Sequence, residues 1–479
     1  MKYVKFLIYN LPLLAMGFSV TANPDRPNVV IVLIDDMGYG DLSCYGNTFV
    51  NTPNIDALAS NGLKFINYYV NSPICSPSRV AMNTGQYPMR YRIHSFIASS
   101  RQNENRAMAN YLDLKAPTLA RTLHDTGYAT GHFGKWHMGG GRDVGNVPYP
   151  TEYGFDESFV SFEGIGNRVL FPNDDLCAQS AKLGKGEITW AEKHQSTGIY
   201  VDKALAFIKK CGDKPFYINL CPNDVHDPHM PEPATIKKWM SVTENPYEQK
   251  FFAVLEELDK QIGRFISELE KSGKLDNTLI LVASDNGPTD WSYYYDRNKY
   301  PAGYQGKIYP PGSAGIYFGR KWSLYEGGIR EPFIVYWKGH ITKGAIDSTT
   351  VFSAIDIFPS VCSVLGVKSP EGLDGTDKSK SFRGKPIKKA PPLMWEYSSN
   401  PGGSIMPGNP DFKSPSLAIR DRNWKLLINV DGTGAQLFNL KEDPAEKNNL
   451  AEKEKGIVEK LKVRLINWRQ SMPVEMKVN

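Results

Sequence analysis

Thiol, acidic and basic side chains occur in this sequence in groups whose spacing could form a reactive site. In N-S-P-I-C-S-P-S-R-V-A-M at residues 71–82, Cys75 precedes Pro77 and Arg79. Pro77 is preorganised for a first helical turn and Gly85 is a typical helix stop, so we expect a helix that begins near Cys75. The N-terminus of a helix favours negative charge. Cys75 is therefore a candidate anion-binding or nucleophilic residue, and a buried structural thiol fits the spacing equally well.

Acidic side chains follow two of the most apolar segments of the chain. P-N-V-V-I-V-L-I-D-D at 27–36 and T-L-I-L-V-A-S-D-N-G at 278–287 each predict a strand that is buried on both faces. Open α/β sheets bind ligands beyond the carboxyl ends of their strands. Each acidic pair alone is typical of a plain strand ending, but two matching pairs at one edge favour a site for Ca²⁺ or Mg²⁺. The predicted oxygen ligands are Asp35, Asp36, Asp285 and Asn286.

Basic side chains and histidines occur near the ends of other predicted elements. The segments are G-H-F-G-K-W-H-M-G at 131–139, N-D-V-H-D-P-H at 223–229 and G-R-K-W-S-L-Y-E-G-G-I-R-E-P at 319–332. Their candidate residues are Lys135, His137, His226, His229, Lys321 and Arg330. Lys135 and His137 point to one face if their segment is extended. Singly, such residues are more often solvated or structural. Together with Arg79 and a cation, they predict a pocket for a tetrahedral oxyanion ester.

Strands and helices alternate between the two acidic segments. The pattern predicts helices at 116–126, 197–210 and 246–271, and strands at 128–133 and 215–221. This alternation predicts an α/β fold with a large, mostly parallel sheet sandwiched by helices. After about residue 390, two alternating strands and a closing helix at 456–470 predict a small antiparallel α+β subdomain. We therefore divide the mature chain into a catalytic domain at 23–385 and a C-terminal subdomain at 386–479, with a linker-like stretch at 366–390.

The first residues of the chain predict a secretory signal peptide over residues 1–22. Lys2 and Lys5 precede the apolar run 6–18, and Val-Thr-Ala at 20–22 is a small-residue cleavage site. A retained N-terminal anchor is the alternative. No other segment is long and apolar enough to span a bilayer, so we expect an exported, periplasmic or secreted protein without stable membrane insertion.

Charge and cysteine content exclude several other classes. The net charge of +5 is spread without a long Lys/Arg block, so we expect no nucleic-acid partner. Six cysteines follow no framework spacing; an exported protein could pair some of them, with Cys211 and Cys221 the nearest candidates, but the sequence assigns no disulfide. No zinc-like Cys/His array is present, so any metal should be held by oxygen.

A long loop at 287–320 is rich in Tyr, Gly and Pro and lies on the same predicted sheet edge. Long ordered loops are usually functional. Aromatic side chains beside a polar site suit sugar rings, and they suit loop packing equally well. Candidate substrate contacts are Trp291, Tyr293, Tyr294, His94 and Arg168.

Five blocks in order resemble the signature of the type I, formylglycine-dependent sulfatases of the alkaline-phosphatase-like superfamily. The blocks are D-D at 35–36, C-S-P-S-R at 75–79, G-K-W-H at 134–137, D-N-G at 285–287 and K-x-x-x-x-E-G-G-x-R at 321–330. The C-terminal W-K-L-L-I…L-F-N-L…D-P-A-E…N-L at 424–450 looks like the end of the same family. The resemblance spans nearly the whole mature chain. Within this family, the chain resembles the bacterial polysaccharide sulfatases.

The resemblance implies a nucleophile and a cofactor. In this family the cysteine of C-x-P-S-R is oxidised after translation to Cα-formylglycine, so Cys75 is expected to work as an aldehyde hydrate. The partner implied is a formylglycine-generating, sulfatase-maturing enzyme. One Ca²⁺ per chain is implied as well. Its ligands by resemblance are Asp35, Asp36, Cys75, Asp285 and Asn286.

The remaining roles also follow from the resemblance. Lys135 and Lys321 are expected to stabilise the sulfate oxygens, and Arg79 to hold the hydrate. His137 is expected to take the second hydrate proton. His226 is expected to protonate the leaving alkoxide. His229 is the alternative acid, and the family's H-x-P spacing, met here by Pro228, favours His226.

The expected function is a sulfuric ester hydrolase that removes sulfate from a sulfated polysaccharide or oligosaccharide through a covalent sulfo-enzyme intermediate. One alternative keeps the fold and changes the ester, namely a phosphodiesterase or phosphonate monoester hydrolase. A second alternative is an inactive relative that binds sulfated glycans. Because Cys75 and the basic motif residues are all present, the inactive alternative is disfavoured.

Overall fold

The computed structural model describes residues 26–184, 186–291, 295–303, 310–397 and 405–473. The predicted signal peptide at 1–22, Tyr293 and Tyr294 lie outside the described residues. The strands of the first half are β1 Asn28–Ile34, β2 Leu63–Phe65, β3 Tyr68–Tyr69, β4 Ala129–Lys135, β5 Glu157–Ser161, β6 Arg168–Leu170, β7 Ile188–Trp190 and β8 Phe216–Cys221. The strands of the second half are β9 Thr278–Ser284, β10 Phe333–Tyr336, β11 Ala345–Asp347, β12 Phe352–Ser353, β13 Leu393–Glu396, β14 Leu417–Asp421, β15 Trp424–Ile428 and β16 Gln436–Asn439.

Most of the strands form one ten-stranded sheet in the order β11-β2-β10-β9-β1-β8-β4-β5-β6-β7. β1 pairs in parallel with both β9 and β8, whereas β10 is antiparallel to its two neighbours. The strands that carry the acidic segments, β1 and β9, are therefore adjacent. The predicted large, mostly parallel sheet is confirmed.

Alternate residues of β1 pack into two different hydrophobic clusters. Val29 and Ile31 belong to one cluster, while Val30 and Val32 belong to the other. Side chains of a strand point alternately to the two faces, so both faces of the sheet are covered. This explains why the strand reads as a continuous apolar run.

The helices that cover the sheet begin and end close to the predicted bounds. They are α1 Pro53–Asn61, α2 Cys75–Thr84, α3 Ser100–Asn105, α4 Leu119–Asp125, α5 Asp175–Ala178, α6 Ser196–Cys211, α7 Pro233–Ile236, α8 Pro246–Lys271, α9 Glu326–Ile329, α10 Ala354–Val364, α11 Ser379–Phe382 and α12 Lys455–Ser471. α8 begins at an Asn245 N-cap whose side chain accepts from the backbone amide of Tyr247. Among the described residues, no helix is long and apolar enough to cross a membrane.

The C-terminal part forms a second, four-stranded antiparallel sheet in the order β13-β14-β15-β16. One face of this sheet packs on α12 in a cluster of its own, as predicted for the α+β subdomain. The domain boundary at 385/386 stays a prediction. The expectation of a linker-like stretch at 366–390 is wrong, because α11 places Phe382 in the main core against Phe65 and Phe352. The buried ring of Phe382 therefore holds this polar segment against the main domain.

A buried charge network joins the second sheet to the catalytic part. Lys425 on β15 lies 2.9 Å from carboxylate oxygens of both Glu326 and Glu446, and its side chain is fully buried. Glu326 also pairs with Arg330 at 3.1 Å and accepts from the hydroxyl of Tyr69 at 2.5 Å. The network therefore holds the segment that follows Lys321 against the C-terminal sheet.

We expect Lys425→Met to lower the free energy of unfolding by about 3 kcal/mol or more, because the buried Glu446 loses its counter-charge and Glu326 keeps only Arg330. Equilibrium urea unfolding measures this change. The double variant Lys425→Met, Glu446→Gln removes one charge of each sign, leaves Glu326 paired with Arg330, and should recover much of the loss. A single-variant loss below about 1 kcal/mol would contradict the assigned network.

All six cysteines are free thiols in the described part of the chain. Cys211 ends α6, ahead of β8, and Cys221 ends β8 at its far end. The two residues thus stand at opposite ends of one strand, which rules out Cys211 and Cys221 as a pair in this structure.

Candidate active site

The acidic residues meet at one edge of the sheet because β1 and β9 end in register, with Ile34 opposite Ser284. Asp36 has a φ of 59°, which turns the chain out of the strand direction. Its backbone amide donates to a carboxylate oxygen of Asp285 at 3.1 Å, and the side-chain amide of Asn286 donates to Asp36 at 2.7 Å. Two segments 250 residues apart in sequence are thereby joined into one acidic cluster.

Each acid of this cluster is paired with a buried base. Lys135 lies 2.6 and 2.8 Å from the two carboxylate oxygens of Asp35. Lys321 lies 2.6 Å from both oxygens of Asp36. On α2, the guanidinium of Arg79 lies 2.7 Å from Asp285 and 3.4 Å from Asp35. Three acids and three bases thus balance within one buried site.

Burial and pairing move the pKa values of these acids in opposite directions. Burial raises the pKa of Asp285 to about 7, against the opposing charge of Arg79. Burial also raises the pKa of Asp36, against Lys321. Burial alone would raise the pKa of Asp35, but Lys135 and the other nearby cations hold it well below its usual value. The cluster therefore favours an ionised Asp35 beside Lys135.

Cys75 is the first residue of α2 and is 2% exposed. Its sulfur lies within 4.8 Å of ligand atoms of Asp35, Asp36 and His226. Burial raises the pKa of its thiol to about 12, although Lys135 acts against the rise. A thiol that stays protonated at neutral pH is a poor nucleophile. The unmodified cysteine is thus well placed for reaction and chemically unsuited to it.

Of the two candidate acids, the structure brings His226 to the cluster. Its Nε2 lies 3.7 Å from a carboxylate oxygen of Asp36, and its Nδ1 lies 2.6 Å from the carbonyl oxygen of Asp227. Nδ1 is thus occupied by a hydrogen bond to the backbone, and Nε2 is the nitrogen that faces the acidic cluster. His229 instead has its Nε2 3.0 Å from the carbonyl oxygen of Val225 and packs on Phe251. The geometry favours His226 over His229 as the residue that faces a leaving group.

His137 lies beside the cluster in a conformation that the sequence did not predict. Its φ is 53°, so the expectation of one extended segment from Lys135 to His137 is wrong; β4 ends at Lys135 and the chain then turns. Its Nε2 lies 3.2 Å from the carbonyl oxygen of Ile97, while its Nδ1 is buried without a partner among the described residues.

Phe162 is a site residue that the sequence analysis missed. Its ring centroid lies 4.9 Å from that of His137, 5.5 Å from that of His226 and 4.5 Å from the ammonium of Lys135. It directly follows β5, which pairs with β4. Its position directly after a strand could have indicated a site residue. However, a single phenylalanine at such a position cannot be distinguished by sequence from one that packs in the core.

Several other sequence candidates do not join this cluster. Arg330 belongs to the network of Glu326, and the guanidinium of Arg168 donates to the backbone carbonyls of Gly166, Ser180 and Leu183. His94 is buried against the carbonyl oxygen of Arg106. These three residues have structural contacts where binding contacts had been considered.

Trp291 is half-buried, and its ring centroid lies 6.0 Å from that of Trp322, the residue after Lys321. Of the three loop residues named as candidate substrate contacts, Trp291 is the one that the structure describes.

The donor set of the acidic cluster fits a hard divalent cation. Three carboxylates and an amide follow the adjacent strands β1 and β9, and Oδ1 of Asn286 is buried without a partner among the described residues. Carboxylate and amide oxygens are the ligands that Ca²⁺ prefers. The chemistry of these residues fits such an ion, with Asn286 offering its oxygen and donating through its nitrogen to Asp36, and the predicted calcium set stays a prediction.

The fold and this site define a class of hydrolase. It is an α/β enzyme with a buried cysteine at the start of a helix, oxygen ligands that fit a divalent cation, and three basic side chains that suit a tetrahedral anionic ester. The sulfatase family model matches residues 27–367, so the chain belongs to the sulfatase family and is a sulfuric ester hydrolase. A second family model, N-sulphoglucosamine sulphohydrolase, C-terminal, matches residues 313–471.

Relatives and solved structures agree with this membership. The chain is 31% identical to N-acetylgalactosamine-6-O-sulfatase of Bacteroides thetaiotaomicron, over 92% of both proteins. It is 27% identical to human arylsulfatase A, over 91% of this chain and 85% of the relative. The crystal structure of Ps i-CgsB in complex with k-i-k-neocarrahexaose superposes with a TM-score of 0.73 and 25% identity, over 94% of both chains.

Proposed function

We propose that the chain is an exported sulfatase that removes sulfate from a sulfated carbohydrate, through formylglycine formed at Cys75 and a single Ca²⁺. The observation that carries the proposal is the meeting of Cys75 with Asp35, Asp36 and His226 within 4.8 Å, surrounded by buried Lys135 and Lys321. A carbohydrate substrate is supported by the relative named N-acetylgalactosamine-6-O-sulfatase and by the neocarrahexaose complex.

The metal set and the nucleophile supply complementary chemistry. Asp35, Asp36, Asp285 and Asn286 would hold Ca²⁺, which supplies positive charge to an ester sulfate and to a nucleophile oxygen. Cα-formylglycine at position 75 supplies a hydrated aldehyde, with one hydroxyl to attack sulfur and a second to release sulfate on deprotonation. The position of Cys75 beside the ligand atoms supports both assignments.

The remaining steps fall to side chains of this chain. Lys135 and Lys321 carry their ammonium groups at the carboxylates of the cation set, where charge on the sulfate oxygens would build during transfer. Because Nδ1 donates to the carbonyl of Asp227, Nε2 carries a proton in the imidazolium form of His226, and that form protonates the leaving sugar oxygen. His137, whose Nδ1 has no partner among the described residues, accepts the hydroxyl proton at position 75.

All ten residues of α2 are buried, including Cys75, Pro77 and Arg79. An enzyme that reads this motif and oxidises the thiol could not reach it in the folded protein. We therefore propose that the maturing enzyme acts on Cys75 before the chain folds.

His226→Ala should lower kcat for sulfate release from a glycan by about 10²-fold, because a sugar alkoxide needs a proton to leave. Release from an activated aryl sulfate should change by less than about threefold, since a nitrophenolate leaves without one. His229→Ala is the matched control and should retain the glycan activity. The reverse result, with His229→Ala impaired and His226→Ala active, would transfer the acid role to His229.

The proposal is tested by measuring sulfate release from a panel of sulfated polysaccharides and their oligosaccharides. The panel includes 6-O-sulfated N-acetylgalactosamine glycans and carrageenans. The protein is co-expressed with a formylglycine-generating enzyme, and Cys75→Ala serves as the blank. Release from one glycan class that is absent in the blank supports the proposal. Cleavage of a phosphate diester without any sulfate release would replace it by the phosphodiesterase alternative.

A further inference from the structure

The loop that carries His226 is held at its first half by the start of α6. Asp224 accepts hydrogen bonds from the hydroxyls of Ser196, at 3.2 Å, and Thr197. The hydroxyl of Tyr200 donates to the side-chain oxygen of Asn223 at 3.1 Å. These contacts fix residues 223–224 but do not reach the imidazole of His226 or the backbone after it.

The second half of the loop is held by a buried lysine. The ammonium of Lys193, which is 3% exposed, donates to the backbone carbonyl of His226 at 2.9 Å and to that of Pro228 at 3.0 Å. Its third contact is the carboxylate of Asp174, at 3.2 Å and equally buried. A lysine ammonium has three donors, so all of them have partners here. Lys193 therefore bonds to the backbone carbonyls of the residues on either side of Asp227.

We propose that Lys193 is a positioning residue that fixes the backbone of His226, and thereby the direction in which its Nε2 donates a proton. This inference rests on the proposed acid role of His226. The carbonyl of His226 and the ring share one Cα, so a shift of the backbone moves the imidazole with it. A displacement of about 1 Å is enough to cost a catalytic group about 10²-fold in rate.

The consequence of losing Lys193 should stay local to the second half of the loop. Ser196, Thr197 and Tyr200 continue to hold residues 223–224. Removing Lys193 alone leaves Asp174 buried without its counter-charge, which threatens folding. The double change Lys193→Met, Asp174→Asn avoids this. The Asp174 side chain accepts from the backbone amide of Cys177 at 3.2 Å, and the side-chain oxygen of an introduced asparagine can accept the same bond.

A double-mutant cycle on the full-length, matured protein tests the proposal. The paired variant Lys193→Met, Asp174→Asn should lower kcat for glycan sulfate release by about 10- to 100-fold with little change in KM. In a His226→Ala background, the same pair should lower the rate further by less than about twofold, because the group it positions is already gone. Lys193→Arg retains the charge and the donors and should keep most of the activity. Lys209→Met, at an exposed lysine of α6, is the control.

Two results would overturn the inference. The first is a paired variant with unchanged glycan activity, and the second is a full additional loss in the His226→Ala background, which marks a general structural role. An activated aryl sulfate gives an independent reading, because a residue that acts only through the general acid should leave its turnover within about threefold. If the wild-type protein releases no sulfate from any glycan, the proposed function fails. If the wild type is active and the paired variant is equally active, the proposed function stands and only the positioning role of Lys193 is refuted.

Discussion

Replacing Cys75 by alanine is expected to abolish sulfate release, with a loss in kcat of at least about 10⁴-fold. Alanine removes both the sulfur and the formylglycine that would be made from it, while every charged partner of the site stays in place. The loss should exceed that of any acid or base variant, because the proposed nucleophile is made from Cys75 itself, whereas an acid or base variant such as one at His226 keeps it. Initial rates of sulfate release, with wild type matured in parallel, measure the effect.

Cys362→Ala is the matched control for this variant, since Cys362 is another fully buried thiol in a helix of the core. It should retain the wild-type rate. Mass spectrometry of the peptide that contains Cys75 should show replacement of the thiol by an aldehyde in active preparations and the unmodified thiol in inactive ones. Full activity in a preparation whose Cys75 is entirely unmodified would overturn the formylglycine assignment.

The sequence was sufficient to predict the meeting of the two acidic segments. β1 and β9 are uninterrupted apolar runs, and such runs are buried on both faces of a parallel sheet, so their carboxyl ends share an edge. The start of α2 at Cys75 followed from Pro77 and Gly85, since both residues act through local backbone geometry. These features depend on short-range rules, and the observed bounds agree with them.

Other features depended on contacts that no local pattern encodes. His137 has a left-handed backbone conformation, so strand periodicity does not describe the segment after Lys135, although both side chains contact Phe162. Arg330 and Lys321 stand on one motif, yet one pairs with Glu326 and the other with Asp36. Which acid each base meets is decided by the fold of segments far apart in sequence. Lys193 was missed for the same reason, because a single lysine ahead of a helix resembles a solvated surface residue.

Asp36→Asn should reduce kcat for sulfate release by about 10³-fold, equivalent to about 4 kcal/mol of transition-state stabilisation. The change keeps the shape of the side chain and removes one negative charge from the set that also contains Asp35 and Asp285. Two functions are lost together: a ligand for a hard cation becomes neutral, and the ammonium of Lys321, 2.6 Å away, loses its counter-charge. Lys321 is then free to reorient away from the position that a sulfate oxygen would contact.

Calcium binding separates these two functions of Asp36. Wild-type protein treated with a chelator should lose activity and recover it with added Ca²⁺, and Ca²⁺ should raise its Tm because the ion binds only the folded state. Asp36→Asn should show a much smaller rise in Tm at the same Ca²⁺ concentration. Asp259→Asn is the control, since Asp259 is a buried acid that caps the start of α1 through the amide of Ile55 at 2.8 Å. Full activity of the wild type in excess chelator, with no change in Tm on adding Ca²⁺, would show that the acidic cluster works through its lysines alone.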